Sequence, residues 1–156
     1  MIPPDAAQAR AIMDRIAYMV LGTADAEGRP WASPVYFATD GHGAFYWVSS
    51  QEARHSANIA VRSEVGIVVF DSTVPIGTGQ GVYVEARAEQ LTTGPELDRG
   101  LAVFSARSIE HGGSAWTRED VEGETRIRMY RATASSYSML AKDGQPDHRV
   151  PIELDR

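Results

Sequence analysis

No cysteine occurs in the 156 residues of this chain, which excludes disulfides, thiolate metal sites and cysteine nucleophiles and fits a cytoplasmic protein. Lysine is almost as scarce: Lys142 stands alone, and arginine carries every other fixed positive side-chain charge. The formal net charge is -6, without the clustered basic stripe that a nucleic-acid surface needs. No apolar run approaches the roughly 18 to 20 residues of a membrane-spanning helix, and the amino terminus has no basic-then-apolar leader pattern. A soluble, cytoplasmic protein is expected, with neither nucleic acid nor membrane as partner.

Motifs for several chemistries are missing as well. His42, His55, His111 and His148 are scattered with no carboxylate at ligand spacing, so no metal site is expected. There is no G-x-S-x-G nucleophile elbow. The stretch Gly77-Thr78-Gly79-Gln80-Gly81 has the glycines of a nucleotide fingerprint, but a strand pattern follows it where that fingerprint needs a helix.

What is present is one domain's length of ordinary soluble composition, 43% hydrophobic and 23% charged. Asp5 with Gln8 makes a capping-box start for a helix running to about Ala17. Short β-type runs follow at 18–24, 31–39, 44–49, 65–71 and 82–91. The turns Asp25-Ala26-Glu27-Gly28 and Asp40-Gly41-His42-Gly43 join the first three, which predicts an antiparallel meander. The 65–71 run is apolar on both faces and is expected to be central. In 82–91, Val82, Val84, Ala86 and Ala88 alternate with Tyr83, Glu85, Arg87 and Glu89, one face inward and one wet. Thr93 and Glu96 predict a second capped helix, Thr117 and Asp120 a further helical turn, and 125–140 returns to strand character. The expected fold class is mainly β: a six-stranded antiparallel split barrel with a few helices. It forms one domain over 1–156, with the helix in 1–17 and the barrel with helical insertions in 18–154.

The stretch FYWVSSQEARHSANIAV, 45–61, passes from strand to helix with serines, an arginine and a histidine in the bend. With Ser49 as cap, Glu52 falls at N3 and Arg54 and His55 in the first turn, where free backbone N–H groups and the helix dipole favour an anion. An arginine fork grips two phosphate oxygens, and a histidine donates a third bond. Capping serines beside a solvated arginine would explain the same residues, and Trp47 serves equally as ligand wall or core.

The ordered series GRPWASPVYF (28–37), FYWVSSQEARH (45–55), Asn58, VGIVVFD and YVEARAEQL resembles the flavin-binding split-barrel family that contains pyridoxamine 5'-phosphate oxidase. The resemblance covers about residues 16–91, and 125–154 more loosely. It implies a homodimer with FMN in clefts between the subunits. The family's phosphate grip falls on Ala53-Arg54-His55, with Arg54 matching, His55 in place of a lysine and Ser49 or Ser50 supplying a hydroxyl. The strand along the ring falls on Trp31 to Tyr36, with Ser33, Pro34 and Val35 edge-on. Trp47 and Val48 flank the phosphate arm, Gln80 and Gly81 fall near a cofactor-contacting glutamine, and Tyr137 matches an aromatic offered by the second subunit. Tyr36 stands where the oxidase carries a lysine. The resemblance implies an FMN-dependent oxidoreductase acting on a small organic substrate by hydride transfer. The alternatives are an F420-dependent reductase and a carrier or sensor of flavin or F420 without turnover; haem-binding relatives share the fold.

Overall fold

The computed structural model describes residues 3–155. Eight strands and four helices are present among them: α1 Ala6–Arg15, β1 Tyr18–Ala24, β2 Pro30–Tyr36, β3 Ala38–Asp40, β4 Ala44–Ser50, α2 Arg54–Val61, β5 Glu64–Phe70, β6 Gly81–Leu91, α3 Gly94–Glu110, α4 Arg118–Val121, β7 Ile127–Leu140 and β8 Arg149–Ile152. The strands follow the order β2-β1-β5-β6-β7-β4-β3, with β8 also on β7. Residues 30–40 therefore lie at both ends of that path: the first half pairs with β1 and the second with β4. The chain turns over at Phe37, which is fully buried, and the sheet curls into a split barrel.

This closure corrects the expected meander. β1 pairs with β2 as the Asp25–Gly28 turn requires, but β4 lies between β3 and β7, not against the whole of the second strand. The reason is the length of the 30–40 stretch, which is long enough to bend and serve two neighbours. Two strands beyond the expected six arise here and at β8. β5 does sit between β1 and β6, but its outward residues Gly66 and Phe70 are exposed.

Alternation decides the interior. Met19 and Leu21 from β1, Ile67 and Val69 from β5, Val82 and Val84 from β6 and Met139 from β7 fill the barrel with Phe37, Phe45 and Trp47. β4 is buried on both faces, because Tyr46 points the other way into a second cluster with Leu97, Leu101 and Phe104 of α3. The approach is close at Gly100, where a Cβ would sit 2.9 Å from Tyr46 Cδ1. Glycine is what lets α3 lie on this strand.

The caps divide. Asp5 accepts from the Gln8 N–H at 2.8 Å, and Thr117 and Asp120 form a full capping box. Thr93 is the N-cap of α3 but makes no side-chain bond, and Glu96 instead faces Arg131 at 3.9 Å.

Arg107 of α3 holds α1 in place. Its guanidinium donates to the backbone oxygens of Met13, Asp14, Ile16 and Phe37 at 2.8 to 3.2 Å, three of them at the carbonyl-rich end of α1. A cation there opposes the helix dipole and satisfies carbonyls that have no helical partner. Arg107→Ala is expected to cost about 2 to 4 kcal/mol of stability, since several acceptors lose a charged donor together. Arg107→Lys should recover only part of it, because a point charge cannot reach all four oxygens; urea denaturation midpoints measure both.

Candidate functional site

The turn after β4 is built by serines, though not as expected. Ala53, not Ser49, is the N-cap of α2, and it makes no side-chain cap bond. The Ser50 carbonyl accepts from the Ala53 N–H at 3.1 Å and the Ser56 hydroxyl at 2.7 Å, while Ser50 Oγ accepts from the Glu52 N–H at 3.2 Å. Ser49 Oγ is hydrogen-bonded to His55 Nε2 at 2.9 Å. The cap is displaced because Gln51 and Glu52 form a separate turn before the helix begins.

The consequence favours an anion. The first backbone bond of α2 runs from Ala57 N–H to the Ala53 carbonyl, so the N–H groups of Arg54, His55 and Ser56 open the helix without intrahelical partners. The Arg54 guanidinium stacks 4.4 Å from the ring centroid of Trp31, which is 42% exposed on β2. Asn58, buried, donates to Thr23 Oγ1 at 3.0 Å, and Arg62 donates to the carbonyls of Asp25 and Ala26. These bonds fix α2 against the β1–β2 hairpin, so Arg54 and Trp31 are presented on a rigid frame. β2 pairs only with β1, which leaves its second edge without a strand partner among the described residues.

Burial pushes the His55 pKa below its ordinary 6.5. The folded protein therefore binds fewer protons at this position than the unfolded chain as pH falls below about 6.5, so the stabilising contribution is present above that pH and fades beneath it. His55→Gln should flatten the fall in melting temperature between about pH 7 and pH 5, read from thermal melts at each pH.

The remaining expected residues separate. Ser33 and Val35 point into the barrel, Pro34 is exposed, and Tyr36 and Val48 are half-buried. Trp47 is fully buried and stacked on Tyr130, with ring centroids 5.7 Å apart. It is core, not a wall of the phosphate arm. Tyr137 is buried too, its hydroxyl donating to the carbonyl of His42, so it offers no face to a neighbouring chain. Gln80 is engaged by the backbone: its amide donates to the Leu140 carbonyl, and its Oε1 accepts from the N–H groups of Leu140 and Gly81, all at 2.9 Å. Gln80 and Gly81 lie beside the Phe70 end of β5, whereas Trp31 lies near its Gly66 end. One chain thus brings together Trp31, Ser49, Ser50, Arg54 and His55.

A second group escaped sequence reasoning. Tyr36 Oη is hydrogen-bonded to His111 Nδ1 at 2.6 Å, and Tyr18 and Phe104 meet the Tyr36 ring edge-on. Burial raises the Tyr36 pKa. His111 lies 75 residues away in sequence, after α3, and no local signal announces the pairing. Among the described residues no group of three histidines and carboxylates is placed to hold a metal ion.

A family model described as pyridoxamine 5'-phosphate oxidase matches residues 6–141. No curated protein matches the sequence. Among solved structures, a haem-binding protein from Mycobacterium smegmatis aligns with a TM-score of 0.73 at 21% identity, over 99% of this chain and 64% of that one. The haem storage protein HutZ from Vibrio cholerae aligns at 0.67 with 18% identity, over 87% and 93%. A protein described as an F420 reductase aligns at 0.61 with 17% identity, over 86% and 98%.

Proposed function

The chain belongs to the pyridoxamine 5'-phosphate oxidase family, and on that premise we propose that it is an FMN-dependent oxidoreductase acting on a small organic molecule. The observation that carries this reading is the opening of α2: three N–H groups without helical partners, with Arg54 and His55 beside them and the exposed ring of Trp31 in contact with Arg54. That donor set suits a phosphate monoester joined to a flat ring. The N–H groups and the Arg54 fork would hold the phosphate. Trp31 and the unpaired edge of β2 would lie along the ring, where backbone N–H groups stabilise negative charge. When bound, FMN supplies the hydride chemistry, and the chain supplies orientation and exclusion of water.

The proposed partner is a second copy of the chain. Arg54 and Trp31 are open to solvent, and a cleft that shields a flavin ring needs a further wall. The proposed location is the cytoplasm; among the described residues no helix is long and apolar enough to cross a membrane. Tyr36, in place of the oxidase's lysine, argues against vitamin B6 as substrate.

A second reading follows from the F420 reductase among the structural neighbours. F420 also joins a phosphate to a flat ring system, and the same corner would receive it. Incubation with FMN, F420 or haemin, each followed by desalting and an absorption spectrum, tests these readings. FMN retained near one per chain supports the proposal, retention of F420 or haemin alone replaces it, and a colourless protein in all three sinks it. Consumption of NAD(P)H by the yellow protein separates an enzyme from a carrier, and sedimentation with and without FMN tests the second copy.

A further inference from the structure

Between α2 and the β6–β7 pair lies a cavity of about 240 Å3. Ser56 and Ile59 of α2, Ala88 of β6 and Tyr130 of β7 form its buried floor, and the less buried Ala60, Glu89 and Gln90 stand at its mouth. At about 100° per residue, Ser56, Ile59 and Ala60 fall across the helix from Arg54, so this cavity is separate from the corner that Arg54 shares with Trp31. Sites for drug-sized ligands begin at about 300 Å3. The smaller volume here restricts an occupant to one small ring with a short substituent.

The polar groups of the lining specify that substituent. Ser56 and Tyr130 are only 4% and 2% exposed, and each hydroxyl has already donated its proton: Ser56 Oγ to the Ser50 carbonyl at 2.7 Å and Tyr130 Oη to Gln90 Oε1 at 3.3 Å. Neither hydroxyl accepts a bond from any described residue, so both retain acceptor capacity and nothing more. Gln90 pairs with Tyr130 across the strands, and its Nε2 donates to no described residue. Glu89, the only carboxylate of the lining, is ion-paired with Arg131. No uncompensated charge therefore faces the cavity, and an ionised ligand would lose its hydration with nothing to balance it. Two acceptors and one donor above Ile59 and Ala88 match a primary carboxamide, which carries two N–H donors and one carbonyl acceptor.

We infer that this cavity binds a small neutral aromatic carboxamide, with its amide at Ser56, Tyr130 and Gln90 and its ring against Ile59 and Ala88.

The probes are benzamide, its N,N-dimethyl derivative, which lacks the N–H donors, and benzoate, which carries a charge. Each is titrated by ligand-observed NMR into wild-type protein, Ser56→Ala, Ala60→Leu and Arg54→Ala. Benzamide is expected to saturate wild type in the millimolar range of so small a ligand, with the other two probes at least tenfold weaker. Ser56→Ala should weaken benzamide about fivefold, the scale of one neutral hydrogen bond. Ala60→Leu, which adds bulk at the mouth without disturbing the buried floor, should abolish binding, and Arg54→Ala should leave it unchanged. Thermal melts verify that each variant folds. Absence of saturable benzamide binding to folded wild type overturns the inference, as does dimethylbenzamide binding as tightly as benzamide, or a folded Ala60→Leu variant that binds within twofold of wild type. Displacement of benzamide by FMN would assign the cavity to the flavin corner and overturn the inference as well. If FMN never binds while benzamide behaves as expected, the inference stands and only the flavin reading fails.

Discussion

Arg54→Ala is expected to weaken FMN binding by about 1.5 to 3 kcal/mol, a loss of roughly ten- to more than a hundredfold, while the fold is retained. The stability side rests on exposure: Arg54 lies on the surface, where its contact is the face of Trp31, and removing a surface cation-π contact costs about 1 kcal/mol or less. The binding side rests on geometry, since only a guanidinium supplies a planar fork next to the free N–H groups of α2. Arg54→Lys should recover part of the affinity, and the difference should shrink as salt rises. Equilibrium titration of flavin fluorescence reads all three proteins. An alanine variant that retained the cofactor with wild-type affinity would place the phosphate elsewhere.

Trp47→Ala is expected to cost about 3 to 5 kcal/mol of folding stability, the usual consequence of emptying an aromatic site in a close-packed core. The side chain is inaccessible to solvent, and its ring lies nearly parallel to Tyr130, at 14°. For a chain of this length the melting temperature should drop by about 10 °C or more. Trp47→Phe should cost much less. The indole Nε1 has no hydrogen-bond partner, so replacing indole by phenyl forfeits packing volume but no polar contact. The phenylalanine variant should also bind FMN within twofold of wild type. A stable phenylalanine variant that sheds the flavin would restore Trp47 to the cofactor wall and contradict its burial.

These two residues stand seven positions apart, yet their fates were legible to different degrees. Arg54 could be read from its neighbours, because a helix start is a local event and its free N–H groups follow from chain geometry alone. Trp47 could not. In a strand with one wet face, parity would tell inside from outside, but β4 is covered by the barrel interior on one side and by α3 on the other. Parity then carries no information. Ser49 illustrates a smaller failure of the same kind: serine caps helices often, but here its hydroxyl engages His55 and the cap falls to Ala53. Tyr36 and His111, Gln80 and Leu140, and Tyr137 and His42 are pairs separated by 60 residues or more, and nothing local in any of these segments names the other.

The amino-acid sequence by itself determined most of the strand positions, the β1–β2 hairpin and the inward stripe of β6, and it placed a helix after β4 with Arg54 near its start, though not the residue that caps it. Each follows from alternation, turn chemistry or helix geometry over a few residues. Only the tertiary structure decided that residues 30–40 bend to serve both ends of the sheet, that Trp47 and Tyr137 are sealed inside it, and that Gln80 is spent on Leu140. Those outcomes depend on which distant strand lies alongside. That pairing is settled by burying the whole apolar surface at once, a quantity that no short window of sequence contains.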